Sequence, residues 1–136
     1  MTATLTPRFV VTDDELQVIA SRAGIQALPD VLSLRPRHGT ETARIAAADF
    51  ATDSLAGRGL ICNGEVAPAC VLLLRALQRP DRELAMRLVT PDGIARVTVV
   101  RKGAQCVSAR RVGDENTIEA IDGPTTLAAA TGALLR

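Results

Sequence analysis

Aromatic side chains are almost missing from this sequence: Phe9 and Phe50 are the whole supply among 136 residues, with no Trp and no Tyr. A core must therefore be assembled from Leu, Val, Ile and Ala. A surface that binds nucleic acid by stacking bases has little to build with, because such platforms use aromatic faces. An excess of one charge is missing too. The formal net charge is +1, so no bias points to nucleic acid, to a membrane surface or to an acidic partner. Histidine is represented by His38 alone, and Cys62, Cys70 and Cys106 lack CxxC spacing. An odd, sparse set of cysteines does not make a secreted disulfide framework, and a zinc site would need ligand pairs. Three reduced thiols, a cytoplasmic location, no metal and no cofactor are expected. No apolar run reaches the roughly 18 residues of a membrane span. The start, MTATLTPRFVVTDDE, carries no apolar stretch behind a basic one, so neither membrane insertion nor a signal peptide is expected.

What is present reads as one domain over residues 1–136, long enough to bury roughly two thirds of its unfolded surface. Arg8-Phe9-Val10-Val11 is a short strand candidate. Thr12 and Glu15 have capping-box spacing, and Asp13 and Asp14 put negative charge in the first turn of a helix that Gly24 ends. Pro29 and Pro36 break the next segment, where Val31, Leu32 and Leu34 suggest a short edge strand. Thr40 can cap a helix over Glu41–Ala56, which Gly57 and Gly59 stop, and Asn63-Gly64 is a turn. Val66–Gln78 reads as a helix with Pro68 in its first turn. Its unbroken run Val71-Leu72-Leu73-Leu74 predicts burial on most sides.

Period-two patterns then cover Glu83–Val89, Ile94–Arg101, Ala104–Val112 and, more weakly, Thr117–Ile121. Pro91-Asp92-Gly93 is the strongest hairpin signal between them. Pro124 opens a final apolar helix over Thr125–Leu135. The layout predicts an α+β fold: an antiparallel β-meander of roughly four strands with helices packed against it.

Catalytic patterns are hard to find. Asp13-Asp14 reads as a helix start, His38 as a solvated loop residue, and no serine sits in a nucleophile elbow. Gly57-Arg58-Gly59 closes a helix instead of opening one, the wrong polarity for a phosphate loop. Cys62, beside the Asn63 turn, is the expected exposed thiol. The arginines carry the sharper hint. Arg87, Arg96, Arg101, Arg110 and Arg111 are spread over three neighbouring strands, where some must fall side by side. A solvated sheet face is the plainest reading. A protein-recognition surface is the sharper one, since arginine is enriched at interfaces. Apolar excess in Val66–Gln78 and Thr125–Leu135 suggests that another chain covers part of the surface, a homodimer being the commonest case.

The segments FVVTDDELQVIASRAGIQALPDVL, LAGRGLI and VLLLRALQRPDRELAMRL, followed by a short meander, resemble the N-terminal half of the EspG proteins, cytosolic chaperones of mycobacterial type VII (ESX) secretion. The resemblance runs from Arg8 to Arg136. It rests on the order of a TDDEL helix, a GRGL stop and an L..L..PD.EL..R passage from helix to strand. The scarcity of lysine beside many Arg and Ala residues fits a GC-rich genome such as an actinobacterium's. The resemblance implies an EspG-like half: a central antiparallel sheet with helical bundles, from a family whose two similar halves are related by a pseudo-two-fold. It further implies a non-enzymatic function, binding PE–PPE heterodimers and capping the apolar tip of the PPE partner. Nothing here corresponds to the second half. Either two copies pair to mimic the two halves, or the chain is a truncated or divergent relative with another partner.

The resemblance supplies no strict motif for substrate contact. The candidate partner-binding residues are therefore positional, on the meander and its first hairpin: Arg87, Pro91, Asp92, Gly93, Arg96 and Arg101. The rival function is a small dimeric regulatory or nucleic-acid-binding module using an arginine-rich sheet face. The near-neutral charge and the acids Asp114, Glu115 and Glu119 count against it.

Overall fold

Thr12 ends one element and begins the next. Its hydroxyl accepts the Glu15 amide at 3.2 Å, and its own amide donates to Glu15 Oε1 at 2.8 Å, so the capping box read from the sequence is formed in full. The computed structural model describes residues 8–34 and 38–121. The helix expected over Thr125–Leu135 lies outside them. Strand β1 (Arg8–Thr12) leads into α1 (Asp13–Arg22), whose Leu16, Ile19 and Ala20 are buried at helical spacing. Gly24 takes φ +73 beyond the helix, where a side chain would be strained.

The expected edge strand at Val31, Leu32 and Leu34 is not formed. Asp30–Leu32 is a single 3-10 turn, closed by the Ser33 amide on the Asp30 carbonyl at 2.9 Å, with Ser33 in the left-handed region at φ 54. Leu32 alone of the three is fully buried. One apolar anchor beside a proline-initiated turn satisfies the segment without a partner strand.

Helix α2 (Glu41–Gly57) is capped by the Thr40 hydroxyl on the Ala43 amide at 3.1 Å. It buries only Ala51 and Leu55, leaving Ile45 and Phe50 exposed. The pair β2 (Ile61–Cys62) and β3 (Glu65–Val66) turns through Asn63 and Gly64, both at positive φ as a primed two-residue turn requires. Helix α3 (Pro68–Gln78) starts on its proline and buries Cys70, Leu73, Leu74, Ala76 and Leu77. Burial on most sides, expected from its apolar run, is not what the structure shows. Leu72 is 59% exposed, on the side away from Leu73, Leu74 and Leu77. At 100° per residue a run of four apolar residues must turn at least one outward.

The four remaining strands, β4 (Arg82–Thr90), β5 (Gly93–Lys102), β6 (Gln105–Val112) and β7 (Glu115–Ile121), form the predicted meander. Strand β1 adds to β7 to give an antiparallel five-stranded sheet of order β1-β7-β6-β5-β4. Cross-strand partners share a face, so Val100, Val107 and Ala120 lie together, packed with Leu16, Ile19, Leu55, Leu73, Leu74 and Leu77 in the main core. Ala95, Val97, Val99 and Cys106 form a second buried cluster on the opposite face, with Met86, Leu88 and Ile121 against it. The fold is α+β, with helices set against an antiparallel meander.

Candidate protein-binding site

The two-residue turn Pro91–Asp92 joins β4 to β5, with Thr90 paired to Gly93 across it. The Thr90 hydroxyl donates to the Gly93 carbonyl at 3.0 Å, and Gly93 adopts φ +130, which favours glycine. Strand β6 follows β5 only as far as the pair Ala95–Val112. The last rungs of the hairpin, Val89–Ile94 and Thr90–Gly93, therefore project past the sheet. Val89 is 84% exposed and Ile94 50%, side by side on one face.

Behind them on that face three arginines stand abreast. Arg87 lies opposite Arg96, and Arg96 opposite Arg111. Like charges directly opposite are destabilising unless something neutralises them. Among the described residues, only Arg111 of the three has partners on all three of its nitrogens. Its Nε and Nη2 donate to the two Asp13 carboxylate oxygens at 3.0 and 2.7 Å, and its Nη1 to the Leu32 carbonyl at 3.3 Å. The Asp13 hydrogen bonds raise the Arg111 pKa above its ordinary value; burial opposes this, and the charges of Asp13 and Asp114 add to it. Asp13, itself buried, also accepts from Asn116 Nδ2 at 2.7 Å. Arg96 has a buried Nη1 with no hydrogen-bond partner among the described residues, and Arg87 is exposed.

Of the residues singled out from the sequence, the structure brings Arg87, Pro91, Asp92, Gly93 and Arg96 together around the hairpin tip. It does not bring Arg101 there. Arg101 lies at the far end of β5, on the other face beside Cys106, with its Nε donating to the Gly103 carbonyl at 3.0 Å. Sequence reasoning missed Val89 and Ile94. Their signal was an apolar residue on each side of the Pro91-Asp92-Gly93 turn, a pattern that also fits a buried strand end. His38 is not simply solvated: its Nε2 lies 3.0 Å from Asp14 Oδ1, and the ring is half-buried.

Three concavities among the described residues lie elsewhere. One of about 620 Å³ runs between α1 and residues 25–34, and two of about 480 and 530 Å³ adjoin α2. The tip itself protrudes. A protruding apolar edge beside cations suits a protein partner, whereas a small ligand needs a cleft. No helix among the described residues is long and apolar enough to cross a membrane.

An α+β sheet-and-helix fold with an exposed apolar hairpin defines the class of protein by its architecture. The EspG family profile matches residues 12–136, and the chain belongs to the EspG family. Among solved structures it is similar to the Mycobacterium tuberculosis type VII secretion system chaperone EspG5, seen in complex with the PE25–PPE41 dimer, at 20% identity and a TM-score of 0.69. The match covers 94% of this chain and 49% of EspG5, so the chain spans about half of that protein's length. No curated protein matches the sequence.

Proposed function

We propose that residues 1–136 form a single EspG-like domain that acts in the cytoplasm as a non-enzymatic chaperone, binding PE–PPE substrates of a type VII secretion system as a homodimer. The observation that carries this reading is the exposed pair Val89–Ile94 at the tip of the β4–β5 hairpin, in a chain of the EspG family. A chaperone must offer apolar surface to the apolar surface it shields, and keep that surface on a rigid element so that little ordering is lost on binding. A hairpin anchored in a five-stranded sheet meets both needs. The turn Pro91–Gly93 sets the shape of the tip, and Arg87 and Arg96 supply its polar rim. Arg101 is at most a peripheral contact. Against the rival nucleic-acid reading stands Arg111, one of the three arginines abreast, which is committed to Asp13.

The test is co-expression with candidate PE–PPE pairs, followed by size-exclusion chromatography with light scattering. A complex of defined mass supports the proposal, and its stability to added salt separates apolar capping from a nucleic-acid-like electrostatic contact. Failure to retain any PE–PPE pair would overturn the substrate assignment.

A further inference from the structure

The two edges of the sheet are not alike. At one edge the Val10 carbonyl of β1 accepts Arg58 Nη1 at 2.6 Å, so a side chain already occupies that border. At the other, β4 is nine residues long, and seven of them, Leu84 among them, are exposed. Its backbone pairs with β5 along its whole length on the inner side. Among the described residues no side chain is placed against its outer side as Arg58 is against β1. Long exposed edges are templates for strand addition, and proteins commonly blunt them.

The sequence of β4 is complementary to itself. In an antiparallel pair of two β4 strands related by a two-fold through Ala85, Glu83 of each copy faces Arg87 of the other, and Ala85 faces Ala85. On the opposite face Leu84 of each copy meets Met86 of the other. Shifting the axis by one residue either way puts Leu84 opposite Leu84 or Met86 opposite Met86, and both shifts lose the Glu83–Arg87 pairs. The Leu84 axis offers instead only Asp81 opposite Arg87, beyond the end of the strand and with its carboxylate already accepting the Gly103 amide. Shifting it to Arg87 sets arginine against arginine. The within-chain neighbours favour the same register. Glu83 is held in place by the Thr98 hydroxyl, which donates to its Oε2 at 2.6 Å. Arg87 stands opposite Arg96, a like-charge pair that a carboxylate arriving from outside would relieve.

We infer that two copies of this chain join through their β4 edges in that register, extending the two five-stranded sheets into one continuous antiparallel sheet. The inference deepens the homodimer part of the proposed function by naming its seam. Arg87 then lies where the seam meets the substrate rim and Val89 falls opposite Asp81 of the other copy at the seam's end, while Ile94 and the turn remain at the two outward tips for substrate. The two-fold runs perpendicular to the sheet, so both tips keep their apolar pair on the same face.

Two single variants test the seam without any PE–PPE protein. Glu83→Arg sets two arginines opposite each other at both symmetric contacts, and Arg87→Glu does the same with two glutamates. Each alone is expected to weaken self-association roughly ten-fold or more in sedimentation velocity. An equimolar mixture of the two restores opposite charges at both contacts, so it is expected to form a heterodimer near wild-type strength. Recovery on mixing also proves that both variants are folded. Wild-type protein that stays monomeric at high micromolar concentration would overturn the inference, as would a dimer that both variants leave intact or a mixture that does not recover. If the seam holds but no PE–PPE pair binds, the substrate reading fails and the interface stands.

Discussion

Arg58, at the end of α2, reaches Glu15 in the first turn of α1: Nη2 lies 2.7 Å from Oε2. The same guanidinium donates through Nη1 to the Val10 carbonyl at 2.6 Å. One side chain thereby fastens β1, α1 and α2 together. The GRGL and TDDEL segments, far apart in the chain, are two halves of this contact. Glu15 is 6% exposed, so its charge depends on these partners. Arg58→Ala is expected to lower stability by about 2 kcal/mol in urea unfolding, more than a surface ion pair would give, because a buried carboxylate is left without its cation. Arg58→Lys should recover only part, since one ammonium cannot reproduce the two-armed contact.

The same carboxylate gives a pH dependence. Burial by itself pushes Glu15 up, but the Thr12 amide, the Ser54 hydroxyl and the Arg58 guanidinium outweigh it and hold the pKa below the ordinary 4.5. A group with a depressed folded pKa contributes its full stability above the unfolded value and loses it as pH falls through the folded one. Unfolding free energy from Glu15 should therefore be level above about pH 5 and fall as pH drops below about 4.5. In Glu15→Gln this part of the acid limb should flatten, with lower stability at neutral pH. Denaturant titrations across pH 3 to 6 would read both.

Asp13→Ala should cost about 3 kcal/mol or more in thermal or urea unfolding. It leaves Arg111 without its two-armed partner and Asn116 Nδ2 without its 2.7 Å acceptor. Arg111→Met removes the charge together with its need, and in the Asp13→Ala background it should recover part of the loss. Strict additivity of the two would speak against the coupling.

Val89→Asp and Ile94→Asp alter exposed tip residues and are expected to change stability by no more than about 0.5 kcal/mol. If the tip binds substrate, each should weaken capture of a PE–PPE pair at least ten-fold in a pull-down titration. Arg101→Ala, at the other end of β5, should leave capture nearly unchanged.

The cysteines should separate by reactivity. Cys62 is exposed, whereas Cys70 and Cys106 are buried, and burial also pushes the Cys70 thiol pKa up. An alkylating reagent followed by mass spectrometry should label Cys62 within minutes in native protein and the other two only on unfolding.

Local chemistry was legible residue by residue. Thr12 with Glu15, Thr40 before α2, Pro68 at the start of α3, Asn63-Gly64 and Pro91-Asp92-Gly93 each act within a few residues of chain, and each does in the structure what its type dictates. The alternation of β4 to β7 announced the meander for the same reason, since consecutive strands need only a short turn to pair. The segment at Val31–Leu34 was misread because three apolar residues fit a strand or an anchored turn equally well. Only the core position of Leu32 decides between them.

Family order was likewise carried by the chain itself, in the sequence of its TDDEL, GRGL and PD.EL segments, and the family match and the fold agree with it. The candidate site was legible in part: the Pro91-Asp92-Gly93 turn and its neighbouring arginines were visible, while the exposure of Val89 and Ile94 was not. That exposure depends on where β6 stops, which is a property of a neighbouring strand. The pairing of β1 with β7, joining Arg8 to Glu119, depends on residues more than a hundred positions apart, and no local pattern encodes such a contact. The same holds for the partners of Arg58 and Arg111. Capping, turn type and alternation are decided by neighbours in sequence. Which arginine is neutralised, which apolar residue is left in solvent and which strand edge stays open are decided by neighbours in space.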